Sequence, residues 1–498
     1  GQFITTNGIF GHLDSHEMTD RALDFITYDS YPNFAFGVGA NPKKPGNLND
    51  RKWSWYLSRV RSISPNFGIM EQQSGAGGWD VRMRQPAPKP GQMRLWTFQS
   101  IAHGADYVSY FRWRTCWIGT EIYWHGLNDY SNEPNRRLAE LKTIKNDIDR
   151  IADIAGSRYK AKIAFVKDYD NEWDGEQDQW YGPLARFSEE GWMTAAQKTH
   201  TPIDFLFIRN GETNKAASGE KASNITSKAA IEETSKTSGK EPVNKTGTGD
   251  STNKTEIRAS LDKTDMEEPA REITLEDLQK YDLLIYPHAA ILTEKTAKLL
   301  KAYVEAGGKL IMGARTGYKD EYGRCPMRPM PGFAAEICGV RVRDYTNLGP
   351  YDDMEYAVWD GEIIEAPFFN DILEAAEGAK VVATFKGNYY DGAPALVANN
   401  IGKGTAYYFG AGFSEATAKV FLERLGFAEP FSNIVRLPEE AELAVRSKQG
   451  KDYMFILNYM GYPIEVDIKV PMKDMISEKN VFGKTQVPKY GVMVLKEV

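Results

Sequence analysis

Asn66-Phe67-Gly68-Ile69-Met70-Glu71-Gln72-Gln73-Ser74-Gly75-Ala76-Gly77-Gly78-Trp79 passes from a short apolar run straight into a carboxylate, then into a glycine-rich turn that ends on tryptophan. An apolar run of that length, with Pro65 before it and glycines after it, predicts a buried strand ending at Met70. On either side, Arg51 to Ser62 and Gln92 to His103 carry apolar residues at helical spacing, and Tyr107 to Trp113 reads as the next strand. Upstream, Phe3 to Thr6 and Leu23 to Tyr28 are strand candidates; downstream, Pro134 to Ile154 opens with a helix-start signal and continues as an amphipathic helix. Strand, polar loop and helix alternate four times, which is the pattern of β/α units and of half an eightfold barrel over residues 1–158.

From 159 to about 430 the pattern changes. Ala161 to Val166, Pro202 to Ile208, Leu283 to Pro287 and Lys309 to Met312 read as strands, and the helix Thr293 to Ala306 is closed by Gly307-Gly308. This punctuation predicts an open, doubly wound α/β sheet. Residues 209 to 280 hold no aromatic residue and are rich in Lys, Ser, Thr, Asn, Glu and Gly. A segment of that composition buries too little apolar surface to offset its ordering entropy, so a disordered insertion is expected over about 209–275. Its Asn-x-Thr triplets at Asn224, Asn244 and Asn253 read as compositional accidents. Residues 431–498 alternate apolar and polar in short runs and predict a small antiparallel β-domain without chemistry-bearing motifs.

The 498 residues allow two to four domains at roughly 100 to 200 residues each. With 61 basic and 68 acidic residues the formal charge is −7, which disfavours nucleic acid and points to an uncharged substrate. No run approaches the roughly 18 apolar residues of a membrane span, so no membrane partner is expected. No secretory leader reads at the N-terminus, which places the expected site of action in the cytoplasm. Cys116, Cys325 and Cys338 show neither CxxC nor ligand spacing, and neither Cys325 nor Cys338 sits in the Gly-x-Cys-x-Gly context of a nucleophile. His12 and His16 lack a third ligand. Asp170-x-Glu172-x-Asp174-Gly175 begins like a calcium loop but has Tyr181 where the bidentate Glu belongs. No cofactor and no metal are therefore expected.

In a parallel barrel the chemistry lies just beyond the strand C-termini, which selects Glu71. A carboxylate beside a flexible loop bearing Trp79 suits attack on a sugar whose C–H face stacks on indole, although a capping or salt-bridged glutamate has the same sequence. Glu121 and His125 follow the next strand. They could hold sugar hydroxyls, form a metal half-site, or simply pair with Arg112 or Arg114, the last being favoured by spacing. Seven of the eleven Trp lie within the first 124 residues, a density that suits a carbohydrate cleft.

Five motifs in series, Ile4-Thr5-Thr6-Asn7, Asp24-Phe25-Ile26-Thr27-Tyr28-Asp29-Ser30-Tyr31-Pro32, Gly68-Ile69-Met70-Glu71-Gln72, Ala102-His103-Gly104-Ala105-Asp106 and Phe111-Arg112-Trp113-Arg114 through Glu121 and His125-Gly126, resemble glycoside hydrolase family 42 β-galactosidases. The resemblance implies the second half of a (β/α)8 TIM barrel, then a doubly wound, glutamine amidotransferase-like trimerisation domain, then a small antiparallel β-domain. It implies a retaining β-galactosidase and a homotrimer, with Glu71 as nucleophile, Trp79 as aromatic wall, and Tyr31, Glu121 and His125 around the galactosyl subsite. Many members space that Glu and His three apart, whereas these are four apart. The family's acid/base comes from an Asn-Glu pair after the fourth barrel strand. Asn132-Glu133 and Asn171-Glu172 follow the barrel strands, so the acid/base and the first half of the barrel are expected to be missing. The chain alone is then expected to turn over poorly or not at all, and a non-catalytic sugar-binding or assembly fragment is the alternative.

Overall fold

The computed structural model describes residues 2–8, 12–32, 49–79, 85–209, 272–348 and 354–498. Three parallel strands, β1 (Thr27–Ser30), β2 (Phe67–Gln73) and β3 (Ala105–Phe111), form a sheet with β2 in the middle. The crossovers carry helices α2 (Asn49–Ile63) and α3 (Gln92–Ala102), and α1 (Ser15–Ala22) precedes β1. Gly68 lets β3 close on β2, since a Cβ there would stand 2.1 Å from the Tyr107 ring.

Two of the four expected strands differ. Asp14 caps α1 and Leu23 terminates it, so the chain becomes a strand only at Thr27. Residues 2–8 contain no strand, but the carbonyls of Ile4 and Thr6 accept from the amides of Asp24 and Thr27 at 2.9 and 3.0 Å. The N-terminal segment is thus held beside the entry to β1. Along α3 every side chain but Arg94 is buried, including the polar Gln92, Thr97, Gln99 and Ser100. Leu95, Trp96 and Phe98 share one apolar cluster with Phe455, Leu457 and Val494, so the C-terminal sheet packs against α3.

That C-terminal sheet is antiparallel and also recruits β4 (Arg158–Tyr159), which pairs with Arg446 and Ser447. A buried carboxylate ties it to the helices: Glu442 accepts from Ser54 on α2 at 3.0 Å and from Tyr459 at 2.6 Å, and contacts His103 Nε2 at 2.8 Å. Burial acts to push the Glu442 carboxyl up, but His103, Arg51 and Tyr459 together hold it below its ordinary value.

Between these lies a nine-stranded sheet. Its parallel part runs β6 (Ile203–Phe207), β5 (Ile163–Lys167), β7 (Leu283–Ile285), β8 (Lys309–Gly313) and then Gly404–Phe409. Four antiparallel strands, Pro394–Ile401, Lys380–Lys386, Tyr356–Trp359 and Glu362–Glu365, extend it beyond the sheet read from sequence. The aromatic-free insertion and its Asn-x-Thr triplets fall outside the described residues over 210–271. Its expected end is overwritten by a short helix, Leu275–Leu278, which starts in a capping box between Thr274 and Asp277. Among the described residues no helix is long and apolar enough to cross a membrane.

Candidate active site

Glu71 is half-buried near the C-terminal end of the central strand. The hydroxyl of Tyr31, one residue past β1, donates to Glu71 Oε2 at 2.6 Å. Burial and then the Glu71 carboxylate push the Tyr31 phenol well up, so it stays a neutral donor. The glycine-rich turn after Glu71 is packed where the sequence reading expected flexibility. Ser74, Gly75, Gly77 and Gly78 are buried, and Ser74 Oγ donates to the Phe111 carbonyl at 2.7 Å. A Cβ on Gly75 would lie 2.7 Å from the His125 carbonyl oxygen, and one on Gly77 would lie 3.0 Å from the Trp124 ring. The glycines are there to let the segment carrying Glu121 to His125 lie against the turn, and the His125 amide donates to the Ala76 carbonyl at 2.9 Å across that contact.

This contact brings three of the sequence-selected residues together. Trp79 Nε1 donates to Glu121 Oε1 at 3.3 Å, while Arg112 Nη1 lies 3.3 Å from Glu121 Oε2. The ion pair favoured by spacing is therefore present, and it is built into the same group as the tryptophan. Among the described residues Arg112 Nε and Nη2 are buried without a partner. His125 is placed differently: its ring stands edge-on to Tyr130 at 5.2 Å, and no hydrogen bond or ion pair joins it to Glu121 among the described residues. Burial and then Arg137 lower its pKa against the opposing charge of Asp129, leaving a neutral imidazole at pH 7. Trp113 and Trp117 project from the same segment into solvent, 63% and 81% exposed.

Sequence reading passed over two residues. Trp124 is the buried hub, with its ring centroid 5.6 Å from that of Tyr31, 6.1 Å from Trp79 and 5.9 Å from Phe111. Asp29 is the register partner of Glu71 and accepts from the Asn7 side-chain amide at 2.9 Å. Burial and then the charge of Glu71 push its carboxyl up to about 7. Asp29 and Tyr31 are two apart and so lie on one side of an extended chain, a signal available from the period of a strand.

Other candidates lie elsewhere. Glu172 is paired with Arg59 and Lys167, and Asn171 is spent on Asp168 and Ile291. Asp170 to Gly175 lies within the helix Tyr169–Gln177, and no group of three or more His, Cys, Asp or Glu is set to hold a metal among the described residues. Cys338 is buried, which pushes its thiol up. A cavity of about 470 Å³ lined by His16, Arg61, Asp204 and Tyr281 includes residues that precede β2 and β3 and does not include Glu71.

Three family models match in sequence: β-galactosidase of glycoside hydrolase family 42 over residues 1–151, the β-galactosidase trimerisation domain over 273–430, and the β-galactosidase C-terminal domain over 441–497. The chain belongs to glycoside hydrolase family 42. Among curated relatives it is 26% identical to β-galactosidase BgaA of Clostridium cellulovorans, over 92% of this chain and 58% of that protein. It is also 26% identical to β-galactosidase BgaB of a Geobacillus species, over 97% of this chain and 60% of that one. The chain thus spans about three fifths of the length of these relatives. Among solved structures, Gan42B, a family 42 β-galactosidase of G. stearothermophilus, superposes with a TM-score of 0.77 at 21% identity, covering 99% of this chain and 64% of that one. The β-galactosidase of Bacillus circulans sp. alkalophilus gives 0.75 at 20% identity, covering 100% and 63%. At these identities the likeness shows the fold, an α/β architecture shared with the family 42 chains.

Proposed function

We propose that this chain is the C-terminal part of a retaining β-galactosidase in which Glu71 attacks the anomeric carbon and carries the galactosyl ester. On this reading residues 1–158 are the second half of a (β/α)8 barrel, 159–430 a trimerisation domain and 431–498 a closing β-domain, with a homotrimer as the working form. The observation that carries it is the carboxylate of Glu71 near the end of a central parallel strand, held by Tyr31 and facing a turn whose Trp79 is fixed to Glu121. Trp79 supplies the wall on which the C–H face of galactose stacks. Glu121 accepts from sugar hydroxyls, and Arg112 holds it in place. His125, whose ring stands edge-on to Tyr130, takes a further hydroxyl.

A retaining reaction needs a second carboxyl to protonate the leaving oxygen. Neither Asn-Glu pair in the chain stands after a suitable strand, and Glu172 is locked in ion pairs. The reading therefore assigns the acid/base to the two fifths of the relatives' length that this chain does not span. The test is hydrolysis of 2,4-dinitrophenyl β-galactoside by the full-length protein and its Glu71→Gln variant. The leaving group needs no proton, so loss of turnover reports the nucleophile alone, and near-normal turnover of the variant overturns the reading. Galactose binding without hydrolysis would favour the non-catalytic alternative.

A further inference from the structure

Asp29 has no part in the reading above, yet it is not placed as a bystander. It faces Glu71 across the β1–β2 ladder, so the two side chains leave neighbouring parallel strands at one register position. Their partners differ in kind. Glu71 Oε2 takes the Tyr31 hydroxyl at 2.6 Å, whereas Asp29 Oδ2 takes the Asn7 amide at 2.9 Å and Asp29 Oδ1 is buried with no partner among the described residues. Two neighbouring carboxyls resist ionising together, because each charge raises the cost of the other. The buried, unpartnered oxygen makes Asp29 the costlier of the two to charge.

Of the groups facing Asp29, the charged one works in that direction. Glu71 from β2 is the charge set against it, and Tyr28 and Tyr31 from its own segment are both pushed up by burial and stay neutral. Only the Asn7 amide opposes the shift, and no cation pairs with Asp29 among the described residues.

Resting on the reading of Glu71 as the attacking carboxylate, we propose that Asp29 is its positioning residue: Asp29 holds the one proton of the carboxyl pair and leaves Glu71 as a lone carboxylate aligned on the Tyr31 hydroxyl. Loss of that proton sets two anions side by side, draws Glu71 away from Tyr31 and slows its attack.

The experiment is covalent trapping of the full-length protein by 2-deoxy-2-fluoro-galactosyl fluoride, followed against pH. The native rate is expected to fall about tenfold or more across an inflection in the neutral range, since a misplaced attacking group costs that much or more. The Asp29→Asn profile, whatever its absolute rate, is expected to lack the inflection. Asn7→Ala removes the one donor that favours ionised Asp29 and is expected to move the inflection to higher pH. An Asp29→Asn profile with the native inflection overturns the proposal, as does a native profile without one.

Carboxyl ¹³C NMR titration of the native protein keeps the decision independent of variant folding and of turnover. The upper step of the pair is expected on Asp29, and its assignment to Glu71 overturns the proposal. If trapping never labels Glu71 while the upper step belongs to Asp29, the nucleophile reading fails and the placement of the proton stands.

Discussion

Tyr31→Phe removes one atom from the candidate site and little else. The ring is only 8% exposed and stands edge-on to Trp124 at 5.6 Å, contacts that phenylalanine preserves. What is lost is a hydroxyl 2.6 Å from Glu71 Oε2. A hydrogen bond to a charged group contributes about 1.5 to 3 kcal/mol. At about 1.4 kcal/mol per factor of ten, that corresponds to roughly 10- to 100-fold. Because burial and the Glu71 charge keep the phenol protonated, the loss is expected in full on the acid side of the Asp29 inflection and is expected to shrink above it, where Glu71 has left Tyr31 in the native protein as well. The assay is the rate constant for formation of the fluorogalactosyl adduct on the full-length protein, with thermal unfolding as the control. A variant trapped at the native rate with an unchanged Tm refutes the claim that Tyr31 orients Glu71. A fall in Tm of several degrees beside the slower rate assigns the effect to folding and refutes it equally.

Trp79→Ala is expected to weaken galactose binding about 2- to 12-fold by isothermal titration, from the loss of about 0.5 to 1.5 kcal/mol of ring stacking. Glu442→Ala leaves Ser54, Tyr459 and His103 without their buried acceptor. It is expected to cost about 3 to 5 kcal/mol by urea denaturation, the penalty for breaking a buried pair. The Glu442 carboxyl is held below its ordinary value in the fold, so its contribution is complete above the unfolded carboxylate pKa and is lost as pH falls through the lower folded one. Native protein and Glu442→Ala should therefore converge in stability on the acid side, and a gap that widens there contradicts the assignment.

The strand carrying Glu71 was legible because its first part, Phe67 to Met70, is the continuous apolar run of a buried parallel strand, as β5, β7 and β8 are, although it runs on to Gln73 where the sequence reading ended it at Met70. The extension by Tyr356–Trp359 and Lys380–Lys386 was not read from the sequence; these antiparallel strands bury alternate residues, and neither carries the Gly-punctuated strand-helix alternation that marked the parallel part. Leu23 to Ile26 have strand-forming residues, yet the helix capped by Asp14 sets where the strand can start. Among the residues proposed for the site, Trp79 and Glu121 were singled out from position after a strand, and Glu71, expected just past Met70, lies within the strand that continues to Gln73. The cause of the glycine-rich turn was not, because the rings and carbonyls it must clear belong to residues about fifty positions later. Asp29 and Glu442 share the same difficulty in a stronger form. Their roles rest on partners brought together only by the fold, 388 residues apart in the case of Ser54 and Glu442.

The central claim is that Glu71 bonds to the sugar. Full-length protein treated with 2-deoxy-2-fluoro-galactosyl fluoride, digested and mapped by mass spectrometry, is expected to carry one fluorogalactosyl group on the peptide containing Glu71, and Glu71→Gln is expected to carry none. An adduct on another carboxylate, or hydrolysis of the dinitrophenyl galactoside with no adduct at Glu71, would contradict the account.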